Sequence, residues 1–291
     1  MHHRAPYREI FNSSMGGLRS ALAKAALILA SSALLGHIWS SELSTVTFAQ
    51  TPAVDSPAAL LRQASDSLRA DKLADASRLA LKASMGSEQD PVVQQRSAEL
   101  LFLSGSVEES LPCFERANKL DEKLAPHNWQ RGVALGCAGQ WKLGADQFRQ
   151  HHEVNPDDVE NSAWYFLCVA KTEGAAAARA ALIPSRGDRR QPMMSVLKML
   201  QGTLAPEEVL AAAEANTEEG AGRKLAMFYG FLYVGLYYDS IGEIEKAKSA
   251  MDRSVELADP DYMGRTARIY RDHRFATSPD GSSLKPPVPD K

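Results

Sequence analysis

The chain has little of what a cross-linked secreted domain, a nucleic-acid binder or an enzyme needs. Its three cysteines, Cys113, Cys137 and Cys168, are scattered over 291 residues with no CxxC spacing, so neither a disulfide framework nor a zinc-type ligand set can be read. Each stands among apolar helical positions, where a thiol behaves as a small hydrophobe. An excess of one charge is also missing. The 33 basic and 36 acidic residues leave a net charge of −3, whereas neutralising phosphates takes a concentrated basic surface. Aromatic residues make up only 7%, which argues against a sandwich of β-branched and aromatic strands. Alanine is abundant and suits closely packed helices.

Catalytic motifs are lacking as well. There is no HExxH, no GxSxG and no GxxxxGK[ST]. Gly220-Ala-Gly222-Arg-Lys has no strand before it and reads, within Glu218 to Arg223, as a connector. His151 and His152 are adjacent, so on a helix they point about 100° apart and cannot both face one ion. Asp157-Asp158 reads as a cap for the next helix. No metal, no cofactor and no enzymatic activity are expected.

Long hydrophobic runs are scarce, and the one near the start of the sequence is short. Arg19 and Lys24 precede an apolar stretch from Ala25 to Leu35, followed by Ser40, Ser41, Thr45 and the small-x-small pattern Thr47-Phe48-Ala49. Basic, apolar and small-residue zones in that order predict a secretory signal peptide over 1–49, starting at Met1 or, in more ordinary form, at Met15. As a helix the run spans about 16 Å, roughly half of a bilayer core. An uncleaved anchor is the alternative, and the sole predicted membrane association.

What the chain has instead is repetition. Shifted by thirty-four residues, Ala64 falls on Ala98 and Gly132, Leu101 on Leu135, Gly105 on Gly139, Ala76 on Ser110 and Gly144, and Phe114 on Phe148. Windows 57–90 (degenerate), 91–124 and 125–158 share this phase. In a further copy, 228–261, Gly235, Tyr238, Gly242, Ala247 and Met251 match at one offset of 103, which is three periods plus one residue. Each unit predicts two antiparallel helices. The small residue at the eighth place (Ala98, Gly132, Gly235) lets the second helix approach. Gly105, Gly139 and Gly242 end the first helix in the left-handed conformation. Gly144 and Ala247 face it from the second helix, and Phe114, Phe148 and Met251 fill the space between units. Asn155-Pro156 closes a unit, because proline cannot continue a helix and restricts the residue before it. Between the clear copies, 159–227 is degenerate, with helices expected at Asn161–Lys171, Ala175–Leu182, Met193–Gln201 and Pro206–Ala215. A helix over 262–273 is expected to cap the array. Residues 50–57 read as a linker and 277–291 as a disordered tail. The fold class is all-α, an α-solenoid of antiparallel helix pairs.

Period and pattern resemble the tetratricopeptide repeat. The order of "RGVALGCAGQWKLGADQF", "NPDD", "SAWYFLCVAK", "GTLAPEEVL" and "FLYVGLYYDSIGEIEKAKSAM" is similar, over about residues 91–273, to bacterial envelope tetratricopeptide lipoproteins of the NlpI kind. The resemblance implies a helical solenoid in the periplasm or cell envelope that holds protein partners, such as a processing protease or a peptidoglycan hydrolase, and that is often dimeric. The chain departs from the family in having no cysteine near the signal exit, so it has no lipid-attachment site.

In such arrays first-helix residues line a concave groove. The resemblance places Leu61, Leu68, Phe102, Leu103, Trp129, Val133, Ala163, Leu167, Lys171, Tyr229, Leu232 and Asp239 there. That surface is largely apolar and lacks the basic and asparagine clamp of chaperone-docking members, so apolar or helical partner segments fit it better than a C-terminal carboxylate. Intramolecular cover, including the C-terminal helix folding into the groove, is the competing reading. Six aromatics between Phe228 and Tyr238 exceed what one helix face can hide. One or two are expected at the surface, where they would support a homo-oligomer as the alternative function.

Overall fold

In the computed structural model residues 56–215 and 220–275 are described, so the 1–49 signal, all but the last two residues of the linker and the 277–291 tail fall outside them. The chain divides into Met1–Ala49 and Gln50–Lys291, and the architecture below belongs to the second unit. Among the described residues every regular element is helical. In chain order they are α1 (Pro57–Arg69), α2 (Leu73–Met85), α3 (Pro91–Leu103), α4 (Val107–Leu120), a 3₁₀ turn (Glu122–His127), α5 (Trp129–Cys137), α6 (Trp141–Val154), α7 (Val159–Glu173), α8 (Ala175–Ala180), α9 (Met193–Gln201), α10 (Pro206–Glu214), α11 (Ala221–Ser240), α12 (Ile244–Leu257) and α13 (Tyr262–Phe275).

The helices α3, α5 and α7 start at side chains that accept the otherwise orphaned amide hydrogens. Asp90 takes those of Val92 and Val93, Asn128 that of Arg131, and Asp158 that of Glu160. Helices α3, α5 and α11 end alike. Ser106 donates to the Leu101 carbonyl, Gln140 to Leu135 and Glu243 to Tyr238, each around a glycine at φ 89° (Gly105), 72° (Gly139) or 84° (Gly242). This crossed pattern needs a left-handed residue. The first hairpin makes the same turn with Asp71 at φ 57°, Lys72 donating to Ser67.

Consecutive helices pair (α1 with α2, α3 with α4, α5 with α6, α11 with α12), and successive pairs pack on one another. Gly132 is where α5 meets α6: a Cβ there would lie 2.8 Å from the Phe148 ring. A Cβ at Gly144 would meet Cys168 of the next helix at 2.8 Å and the Gly132 carbonyl at 3.7 Å, and one at Gly235 would stand 3.3 Å from the Met251 backbone nitrogen. Phe114, Phe148, Met251, Ala98 and Ala247 are all buried.

The degenerate middle departs from hairpin stacking. Helix α8 has only six residues, too short to cover α7, so α7 packs directly on α9 and α11 as well as on α5 and α6. Every residue from Val159 to Ala170 is consequently buried. The expected connector at Glu218–Arg223 is shorter than its sequence suggests: α11 begins at Ala221, and Gly222 and Arg223 form its first turn. Gly220, at φ 66°, makes the entry.

Candidate functional site

The last helix settles what the first-helix face looks like. Asp261, following Pro260, caps α13 by accepting the Gly264 amide at 2.8 Å, and His273 and Arg274 close it, where positive charge suits the helix dipole. Its apolar face is Met263, Ala267, Ile269 and Tyr270. Beyond resting on α12, it packs against α5 and α3, both first helices. The Tyr262 ring stacks on Phe102 at a centroid distance of 6.0 Å and meets Trp129 edge-on at 4.8 Å. Tyr270 meets Trp164 of α7 edge-on at 5.6 Å. Arg265 reaches the end of α1, donating to the Leu68 carbonyl at 2.8 Å and pairing with Asp71. So α13 contacts groups from the first hairpin to the last rather than only capping the final pair.

At Phe102, Trp129 and Asp239, three of the residues expected to line a groove, the chain supplies its own occupant, α13, as the competing reading of intramolecular cover has it. Phe102, Leu103, Val133, Ala163, Leu167, Leu232, Tyr229 and Leu68 are buried, and Leu61 and Trp129 are packed against the core. The reason is energetic: burying one large apolar side chain yields roughly 1.5–3 kcal/mol, and a tethered helix with such a face covers the surface at no translational cost. Phe102 and Trp129 are brought together around Tyr262. Tyr229 instead stacks on Tyr233, 6.1 Å away, within α11.

Lys171 and Asp239 form the polar end of the same seat. Asp239 has no exposed surface. Its carboxylate accepts from Lys171 Nζ at 2.8 Å, from the Tyr270 hydroxyl at 2.5 Å and from Arg274 Nε at 3.0 Å. Burial alone would raise this carboxyl, but Arg274 and Lys171 outweigh it and hold it below the ordinary range. Burial lowers the Lys171 ammonium, with Asp239 opposing. Two donors to Asp239 come from α13 itself.

A second polar cluster, invisible in the sequence, sits where α7 begins. Arg190, from the loop after α8, bonds to Asp188 (2.5 Å), Asp158 (2.8 Å) and, closest, Glu160. Glu160 Oε2 also accepts from the Tyr233 hydroxyl at 2.5 Å. Burial pushes the Glu160 carboxyl up to about 7 despite Arg190, as three carboxylates share one guanidinium. The cluster pins loop to helix. It is held by a cation already, and no group of three histidine, cysteine or acidic side chains among the described residues is arranged for a metal ion.

Other flagged residues have structural partners. His151 Nδ1 lies 2.9 Å from the Pro126 carbonyl oxygen, and burial lowers its pKa. Asp157 pairs with Arg186, while Asp158 caps α7. Cys113, Cys137 and Cys168 are free thiols; burial raises all three. An open cleft of about 480 Å³ between α1 and α2, bordered by Asp66, Asp75, Arg78 and Lys82, includes no histidine or cysteine. Of the α11 aromatics, Phe228, Tyr229 and Tyr233 are buried, while Phe231, Tyr237 and Tyr238 are half-buried, because α7, α9, α10 and α12 surround the helix. Among the described residues no helix is long and apolar enough to cross a membrane. No protein-family model matches the chain.

Proposed function

We propose that the chain is a non-catalytic scaffold of tetratricopeptide type, exported to the cell envelope, which holds protein partners on the face made by its first helices. The observation that supports this reading is that this face already holds an amphipathic helix, gripped by apolar contacts at Phe102 and Trp129 and by a buried acceptor at Asp239. A surface of rings with one buried charge selects a helical segment by shape and by a single polar anchor. The exported location rests on the order of basic, apolar and small residues in 1–49, and an envelope protease or peptidoglycan hydrolase on the family resemblance.

Cross-linking in intact cells, followed by mass spectrometry of the linked partners and of the mature N-terminus, tests both parts. The expected result is partner peptides linked near Trp129 and a chain that starts after Ala49. Trp129→Ala should reduce partner recovery while far-UV helicity stays intact. Equal recovery from the variant would count against this face.

A further inference from the structure

The seat of α13 fits its occupant imperfectly. Four buried side-chain atoms among the described residues lack a hydrogen-bond partner, and two of them are at this seat: the Tyr262 hydroxyl and Trp164 Nε1. Tyr262 lies against Phe102 and Trp129, and Trp164 lies against Tyr270. Each polar atom has lost water without gaining a bond, the state that folded proteins avoid. The rest of the seat is well made, with Asp239 taking donors from both sides.

The helix sits on a short tether. Only Ala258–Asp261 separates α12 from α13, and the chain turns so tightly that a Cβ on Gly264 would stand 1.9 Å from the Asp259 carbonyl oxygen. Tethering holds α13 at high local concentration. It also sets where the helix starts and so limits how far the helix can slide or rotate on its seat. A helix arriving free of that connection has both freedoms.

We propose that α13 is an internal, displaceable occupant, and that the seat takes in its place an amphipathic helix of a partner protein carrying two aromatic residues eight apart and a cation four further on. That spacing is the one Tyr262, Tyr270 and Arg274 present to Phe102, Trp164 and Asp239. The inference rests on the scaffold reading above and names the chemistry of its partner. Closure by α13 then sets the apparent affinity, which is the intrinsic affinity multiplied by the fraction of chains with the seat open.

The probe is a fluorescent synthetic peptide of residues 261–275, added to the full chain. Gly264→Ala cannot keep the tight turn and should open the seat, so the variant should bind the peptide roughly ten-fold more tightly than the unaltered chain does. Peptides with Arg274→Ala or Tyr270→Phe should lose most of that affinity. Tyr262→Phe in the chain removes a partnerless hydroxyl, should tighten closure and should weaken peptide uptake several-fold. A helical Gly264→Ala variant that binds no better than the unaltered chain overturns the proposal, as does indifference to the peptide's Arg274. If Gly264→Ala does not fold, Tyr262→Phe decides, and unchanged or stronger uptake overturns it. Concentration-dependent dimerisation of Gly264→Ala overturns it too, since a second copy would then fill the seat. If exchange fails while cross-linking in cells still recovers partners, the seat is wrong and the scaffold stands. If exchange succeeds and cells yield no partner, the scaffold is wrong and the foreign helix with it.

Discussion

Lys171 Nζ lies 2.6 Å from the backbone oxygen of Asp239 and 2.8 Å from its carboxylate, a bond that joins α7 to α11 across sixty-eight residues. Arg274 and Tyr270 complete the shell from α13. Asp239→Ala leaves two partly buried cations facing each other. Breaking a buried pair from one side costs about 3–5 kcal/mol. The expected result is a loss in that range in denaturant-melt stability, with α13 amides exchanging first.

The same carboxylate predicts an acid transition. Its pKa in the folded chain is depressed, so its contribution is full above the ordinary carboxylate range and is lost as pH falls through the folded value. Hydrogen exchange measured at decreasing pH should show α13 loosening before α3 and α4. Uniform exchange across all helices would contradict this order.

Glu160 has the opposite sign. Its folded carboxyl is raised to about 7, above an unfolded value of about 4.3. Its stabilising contribution is therefore full below the unfolded value and declines as pH rises through the folded one. Glu160→Gln keeps the group neutral and leaves Arg190 to Asp158 and Asp188. The variant should flatten the stability profile between about pH 4 and 7, and gain roughly 1 kcal/mol above that window. Thermal melts in matched buffers check this, and an unaltered slope would count against it.

Three backbone substitutions should differ in sign. Gly132→Ala drives a methyl into the Phe148 ring; overpacking of about 1–3 kcal/mol should exceed the helix-propensity gain of about 1 kcal/mol. Gly86→Ala meets only an ordinary contact at 3.4 Å, at φ −80°, and should stabilise by about 0.4–1 kcal/mol through the unfolded state. Asp71→Gly relieves a left-handed non-glycine residue worth about 1 kcal/mol, offset by its exposed pair with Arg265. Denaturant midpoints of the three rank them directly.

Much of the helix pairing was legible because its causes are local. Asp158 caps its helix within two residues, and Gly105, Gly139 and Gly242 close theirs within six. The thirty-four-residue register then follows from recurring small residues, since Gly132 and Gly235 act on partners in their own hairpins. Arg190 gave no such signal: a charged residue in a polar loop reads as solvated, and its three carboxylates belong to an arrangement of α7 and the following loop.

The sequence by itself determined that the chain is all-α, where its hairpin glycines fall, and that a helix, α13, follows the last repeat. Only the tertiary structure decided where that helix packs. Tyr262, Tyr270 and Arg274 meet Phe102, Trp129, Trp164 and Asp239 at separations of 31 to 160 residues, because burial depends on which surfaces the folded pairs bring within reach, and no spacing along the chain encodes that.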